Sequence, residues 1–154
     1  MTDAMTPADH VAAIAASRDR LLAFVAACPD DEWQARPLHN TGDSRTVGVI
    51  VDHVADSYQY IGAWISAIVA DQDPVLGPEL VDRLNAAHAT DAATVTRAEA
   101  ATHLRRNGDA VVALINGLAE SDLDRDDGRV GRLCAILARH PDDHRTELEA
   151  ALRG

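Results

Sequence analysis

Residues 45–70 read RTVGVIVDHVADSYQYIGAWISAIVA, and this segment indicates the kind of fold that the chain adopts. Its large apolar residues return every three or four positions, which is the spacing of one face of an α-helix. The stripe consists of Ile50, Val54, Ile61, Ile65 and Ile68. A polar segment with a proline, residues 71–74, follows it and ends the pattern. We therefore predict a long amphipathic helix over residues 45–70 with this stripe buried.

The same periodicity returns on both sides of this segment. Helices are predicted over residues 6–28 and 78–92, from the capping box at residues 96–99 onward, and from about Arg129 to the end of the chain. The polar residues 30–44 are predicted to be a loop. No segment alternates apolar and polar residues with the period of a β-strand. We predict an all-α fold, a four-helix bundle, in a single domain of residues 1–154.

Composition and charge exclude several classes of function. Hydrophobic residues make up 47% of the chain but aromatic residues only 3%, and alanine dominates, which favours closely packed helices. The formal net charge is −11, so the basic surface that binds nucleic acid is absent, and an anionic membrane surface would repel the chain. We expect neither nucleic acid nor a membrane among its partners.

The N-terminal residues and the cysteines indicate the compartment. The first five residues lack the basic and apolar regions of a signal peptide, and no apolar run is long enough to span a bilayer. The two cysteines, Cys28 and Cys134, form no C-x-x-C pair and suggest no disulfide framework. A cytoplasmic, reducing location is the expectation.

The segment at residues 139–144, RHPDDH, contains the residues with the clearest chemical meaning. His140 and His144 are four positions apart, so a helix places their imidazoles on one face, in the geometry of helical zinc sites. Both lie within about 80° of the centre of the last apolar stripe, and His53 lies about 70° from the stripe of its own helix. Three imidazoles leave one position of a tetrahedral metal free, as in catalytic zinc sites. We predict that His53, His140 and His144 are metal ligands.

Pro141 allows an alternative interpretation of this segment. Proline lacks an N–H and its ring clashes with the carbonyl of residue 137, so a helix that continues through it must kink. A new helix could instead begin there, with His140 as its N-cap and Pro141 at its first position. His140 and His144 would then be capping residues, and His53 a boundary residue, without any metal.

The other polar candidates receive simpler interpretations. His10, His88 and His103 lie about 80–100° off their stripes and His39 lies in a loop, so we predict no convergence of these four on a site. Cys134 is predicted to be a core residue. Asp56 and Glu147 each follow a candidate ligand by three positions, and they either orient that ligand or form a solvated edge.

Three segments together resemble one known family. Residues 46–55 (TVGVIVDHVA) are similar to the second-helix signature of the DinB/YfiT-like four-helix proteins, residues 85–89 (NAAHA) to their third-helix region, and residues 140–148 (HPDDHRTEL) to their closing H-x-x-x-H helix. That family is similar to metal-dependent, thiol-using enzymes that include mycothiol-dependent maleylpyruvate isomerase and bacillithiol transferases. The resemblance implies a divalent metal on His53, His140 and His144, and a homodimer. The isomerase branch carries Glu where His140 stands, so isomerase activity is not implied.

Two classes of function follow for the chain. The first is a metal-dependent enzyme, of S-transferase or isomerase type, in which a cation lowers the pKa of a small thiol such as mycothiol and the thiolate attacks a small-molecule substrate. Zinc is chemically the simplest metal, and three imidazoles also suit nickel, iron or copper. With water in the free position the same site would be a hydrolase. The second class is a metal-free helical protein that acts through interaction or dimerisation.

Overall fold

A computed structural model describes residues 4–154, and this part of the chain is helical without any strand. The helices are α1 (Pro7–Ala27), α2 (Asp30–Trp33), α3 (Val47–Val69), α4 (Pro78–Asp91), α5 (Arg97–Asn116) and α6 (Arg125–Arg153), with 3-10 turns at His39–Thr41 and Glu120–Asp124. The predicted all-α class is confirmed. The described chain has six α-helices: the five segments predicted to be helical, which include α4, and the short α2, which was not predicted. No helix among the described residues is long and apolar enough to cross a membrane.

Four of these helices enclose the core. α1 packs against α5 and α6, and α3 packs against the same two helices from the other side. The predicted stripe of α3 is buried throughout, since each of its five residues is at most 5% exposed. Other fully buried side chains are Ile14, Leu21, Tyr58, Leu104, Ile115, Leu137 and Leu148. α4 packs beside α3 and contributes no buried residue.

The helix starts follow from local sequence. Thr6 accepts from the backbone N–H of Asp9, and the Asp9 carboxylate accepts from the N–H of Thr6. Thr96 and Glu99 form the same reciprocal pair at the start of α5. Each box satisfies two backbone donors that a helix leaves unpaired. The predicted starts of both helices are confirmed.

The segment predicted as a loop, residues 30–44, contains α2 and the 3-10 turn at His39–Thr41. Trp33 ends α2 with only 3% of its surface exposed, and its indole N–H donates to the backbone oxygen of Val95 at 2.9 Å. A Cβ on Gly48 would lie 2.7 Å from the same indole nitrogen, so glycine is required for this close approach. The loop prediction is wrong here. Burial of the Trp33 side chain stabilises one turn of helix, and a helix this short shows no periodicity in the sequence.

α6 resolves the alternatives at Pro141. The helix continues through this proline, which is itself buried, and His140 is therefore not an N-cap. Leu137 and Leu148 are fully buried on either side of it, so core packing holds both halves of the helix in place. The non-helical backbone lies instead at Asp126, Asp127 and Gly128, near the start of α6.

Candidate metal centre

Three histidines from two helices meet between α3 and α6. Nε2 of His140 lies 3.1 Å from Nε2 of His53, and the ring centroids of His140 and His144 are 4.6 Å apart. The ring of His53 is 5.0 Å from that of His140 and 5.4 Å from that of His144. One ring nitrogen of each residue lies within 4.8 Å of the others. The structure thus brings together the three histidines that the sequence singled out, and whether they hold a metal stays a prediction.

Helix geometry explains this convergence. His140 and His144 are one turn apart on α6, so their rings extend from the same face. α3 packs along that face and contributes His53, which is only 4% exposed. The apolar stripe of α3 faces the core. His53 lies about 70° to one side of this stripe and therefore faces α6.

The environment keeps the three imidazoles neutral. Burial lowers the pKa of His53 to about 2, and the nearby His140 and His144 add to this effect. Burial, with His144 and Arg139, lowers the pKa of His140 to about 3. The pKa of His144 is also lowered by burial, although Glu147 opposes that shift. Only a neutral imidazole has a free electron pair for a metal, so the cluster is already in the ligating protonation state.

Two charged side chains adjoin the cluster. The positive charge of Arg45 disfavours protonation of all three histidines. Arg45 is held by Asp43 through a two-pronged ion pair, with nitrogen–oxygen distances of 3.0 and 2.8 Å. An oxygen of Glu147 lies 3.7 Å from Nδ1 of His144, so Glu147 adjoins this histidine. Asp56 lies instead near His88 and Asp91. Sequence reasoning missed Arg45, because only the folded chain brings the start of α3 near His140.

The donor set fits a divalent cation. Nitrogens bound to a tetrahedral zinc at about 2.0–2.1 Å lie about 3.3 Å apart, close to the observed spacing of His53 and His140. Nδ1 of His53 is buried and finds no hydrogen-bond partner among the described residues, and its Nε2 faces only another imidazole nitrogen. Two neutral imidazole nitrogens that both present electron pairs repel each other, and a cation bound at Nε2 of His53 would replace that repulsion with coordination; the N–H at Nδ1 keeps no partner among the described residues in either case.

The prediction that His88 and His103 converge on nothing is wrong. The N–H at Nε2 of His88 donates to Oδ2 of Asp52 at 2.8 Å, and the N–H at Nδ1 of His103 donates to Oδ1 at 2.7 Å. Asp52 precedes His53 on α3, about 100° around the helix, so it faces α4 and α5 rather than α6. Three residues on three helices show no common spacing in the sequence, which is why the pattern was missed.

His10 was predicted to take part in no site, and the structure shows it as a buried histidine of α1. It is 4% exposed, burial lowers its pKa, and its Nδ1 has no hydrogen-bond partner in residues 4–154. No other histidine ring packs against it in this part of the chain. His39 lies exposed in its turn, where Nδ1 donates to the backbone oxygen of Arg36.

Both cysteines are free and buried, and neither belongs to the centre. Burial raises the pKa of Cys134 to about 11 and also raises that of Cys28. The prediction of Cys134 as a core residue is confirmed. A thiol with a raised pKa is a poor nucleophile, so the chain offers no thiolate of its own at neutral pH.

A helical protein with an inward-facing three-histidine cluster is the class that the fold and the site define. The family model of the DinB superfamily matches residues 13–148. The chain belongs to the DinB superfamily. Comparison with curated proteins and with solved structures gives no match.

Proposed function

We propose that the chain is a metal-dependent enzyme that uses a small external thiol, with His53, His140 and His144 holding one divalent cation. The observation that carries the proposal is the convergence of three neutral imidazoles from α3 and α6 within 4.8 Å. Zinc is the simplest metal for this donor set, and nickel or iron suits it as well. In this proposal α1, α3, α5 and α6, which enclose the core, form the four-helix bundle of the DinB/YfiT-like proteins, and the metal lies between α3 and α6.

The residues of the chain would act by binding and positioning. A bound divalent cation supplies a Lewis acid that lowers the pKa of a thiol in a free coordination position. The three imidazoles fix its location, and Glu147 beside Nδ1 of His144 orients that ring. Burial lowers the pKa of His53 and of His140, so protons compete little for their nitrogens at neutral pH.

The buried cysteines favour an external thiol over one from the protein. A thiolate such as that of mycothiol would donate its electron pair to an electrophilic carbon of a small-molecule substrate, forming a carbon–sulfur bond. In a transfer reaction the bond to the leaving group breaks and that group departs with its electron pair. In an isomerisation the thiolate is expelled again after the substrate has rearranged.

A thiol-transfer assay tests the proposal. The zinc- or nickel-loaded protein is mixed with mycothiol and 1-chloro-2,4-dinitrobenzene, and the aryl thioether is followed by its absorbance. We expect a rate above that of the uncatalysed reaction, lost in His140→Ala and kept in His39→Ala, which removes an exposed histidine. Equal rates for the natural chain and His140→Ala would reject the role of the centre. Metal-dependent hydrolysis of an ester without thiol would favour a hydrolase.

The metal-free interaction protein has less support. Among the described residues the exposed large hydrophobic side chains are Met5 and Val75, and these do not form an apolar face. We retain a homodimer and a cytoplasmic location as proposals. Gel filtration with light scattering at several protein concentrations tests the dimer.

A further inference from the structure

The ring of His53 lacks the hydrogen bond that usually fixes a metal-binding imidazole. Such a ring donates the N–H that points away from the metal to a carboxylate, a backbone carbonyl or a water molecule. Nδ1 of His53 is buried and has no hydrogen-bond partner among the described residues, and the whole residue is only 4% exposed. The orientation of this ring therefore depends on the side chains that pack against it.

Three other imidazoles contact the ring of His53. Two of them, His140 and His144, belong to the centre and lie on α6. The third is His88 of α4, whose ring centroid lies 6.1 Å from that of His53, with the two ring planes at 61°. Aromatic pairs attract each other in tilted and edge-on arrangements at centroid distances of about 4.5–7 Å. His88 thus supports the ring of His53 from outside the centre.

Asp52 fixes the position of His88. The N–H at Nε2 of His88 donates to Oδ2 of Asp52 at 2.8 Å, and the two side chains are only 9% and 8% exposed. The other oxygen of Asp52 accepts from Nδ1 of His103 at 2.7 Å, so this carboxylate is held from two helices. Because Asp52 directly precedes His53 on α3, the hydrogen bond holds His88 beside the predicted ligand.

Close packing of α4 does not explain the position of His88. α4 contributes no buried residue to the core. His88 also borders a groove of about 560 Å³ between α3, α4 and α5, so one side of its ring is not packed against the protein. The hydrogen bond to Asp52 and the contact with His53 are therefore what hold the ring of His88. A substitution at this position should act on His53 and leave the core unchanged.

We propose that His88 is a positioning residue of the metal centre: held by Asp52, it packs against the ring of His53 and keeps Nε2 of that ring directed toward His140. The inference rests on the proposed function, because it requires a metal on the three-histidine centre. It also assigns a role to α4, which adds nothing to the core but supports the centre through one side chain.

Competition for zinc against a chromogenic chelator tests the inference. His88→Ala should weaken zinc binding about tenfold, as loss of a residue that supports a metal ligand commonly does. His103→Ala is the matched control, because it removes the other hydrogen bond to Asp52 and its ring does not pack against His53 in the described chain. This control should bind zinc with the natural affinity. The inference is overturned if His88→Ala binds as tightly as the natural chain, or if His103→Ala weakens binding equally.

The visible spectrum of the cobalt-loaded protein distinguishes positioning from a structural role, because the spectrum depends on the geometry of the ligands. At saturating cobalt we expect a changed spectrum for His88→Ala and an unchanged one for His103→Ala. A lower melting temperature of His88→Ala together with the natural spectrum and affinity would show that His88 is structural only, which rejects the inference.

His88→Gln provides a second variant that keeps an N–H donor for Asp52 but lacks the ring that packs against His53. It should also weaken zinc binding, and natural affinity in this variant would overturn the inference even if His88→Ala does not fold. The two levels of the account fail in different ways. A natural chain that binds no metal contradicts the proposed function, whereas metal binding that is indifferent to His88 contradicts this inference alone.

Discussion

Acidification of the metal-free protein should destabilise it through the buried histidines. The folded-state pKa values of His53 and His140 are about 2 and about 3, against about 6.5 in an unfolded chain. A folded pKa below the unfolded value means that protons bind preferentially to the unfolded state. The stabilisation is therefore complete above pH 6.5 and decreases as the pH falls toward the folded values. From pH 7.5 to pH 5 each histidine should cost about 2 kcal/mol, and the pair about 4 kcal/mol.

Urea unfolding of chelator-treated protein, followed by helical circular dichroism from pH 5 to 7.5, measures this loss. His53→Leu removes one of the two groups and should reduce the loss to about 2 kcal/mol. His39→Leu removes an exposed histidine and should keep the full loss. A free energy of unfolding that stays constant over this pH range would refute the assignment of buried, neutral imidazoles, as would an equal effect of both substitutions.

Three further outcomes are expected. Chelation should leave the helical circular dichroism signal nearly intact, because the apolar core does not include the centre, and loss of most of the signal would show that the metal is structural. Pro141→Ala restores the N–H absent from α6 and should change metal affinity by moving the imidazole of His140; identical competition curves against a chromogenic chelator would argue against His140 as a ligand. Gly48→Ala should cost about 1–3 kcal/mol in urea unfolding, because its Cβ would lie 2.7 Å from Trp33. Gly62→Ala in the same helix meets only ordinary contacts at 3.4 Å or more and should not destabilise, so a similar loss in both variants would contradict the packing argument.

Sequence periodicity predicted what depends on local structure. The long helices and their capping boxes follow from apolar spacing and from residues such as Thr6 and Thr96, whose partners lie three positions away. His140 and His144 were predictable as a pair for the same reason, because a single helix fixes their relation. His53 could be added because its angular position on α3 points it inward.

Features that depend on contacts between distant segments were not predictable. α2 forms because Trp33 reaches the backbone of Val95, 62 positions away. Asp52 accepts hydrogen bonds from His88 and His103, which lie on two other helices. The angular position of a residue on its own helix does not show which neighbouring helix it will face. The alternatives at Pro141 were decided by the burial of Leu137 and Leu148 on both sides, which one helix viewed alone does not reveal.

The metal content of protein purified without an affinity tag tests the central claim most directly. Elemental analysis of the natural chain should give about one divalent metal per chain, as expected for one set of three imidazoles. The triple substitution His53→Ala, His140→Ala and His144→Ala should reduce this ratio to near zero with the helical signal retained. A ratio near zero for the natural chain, also after reconstitution with zinc or nickel, would contradict the account.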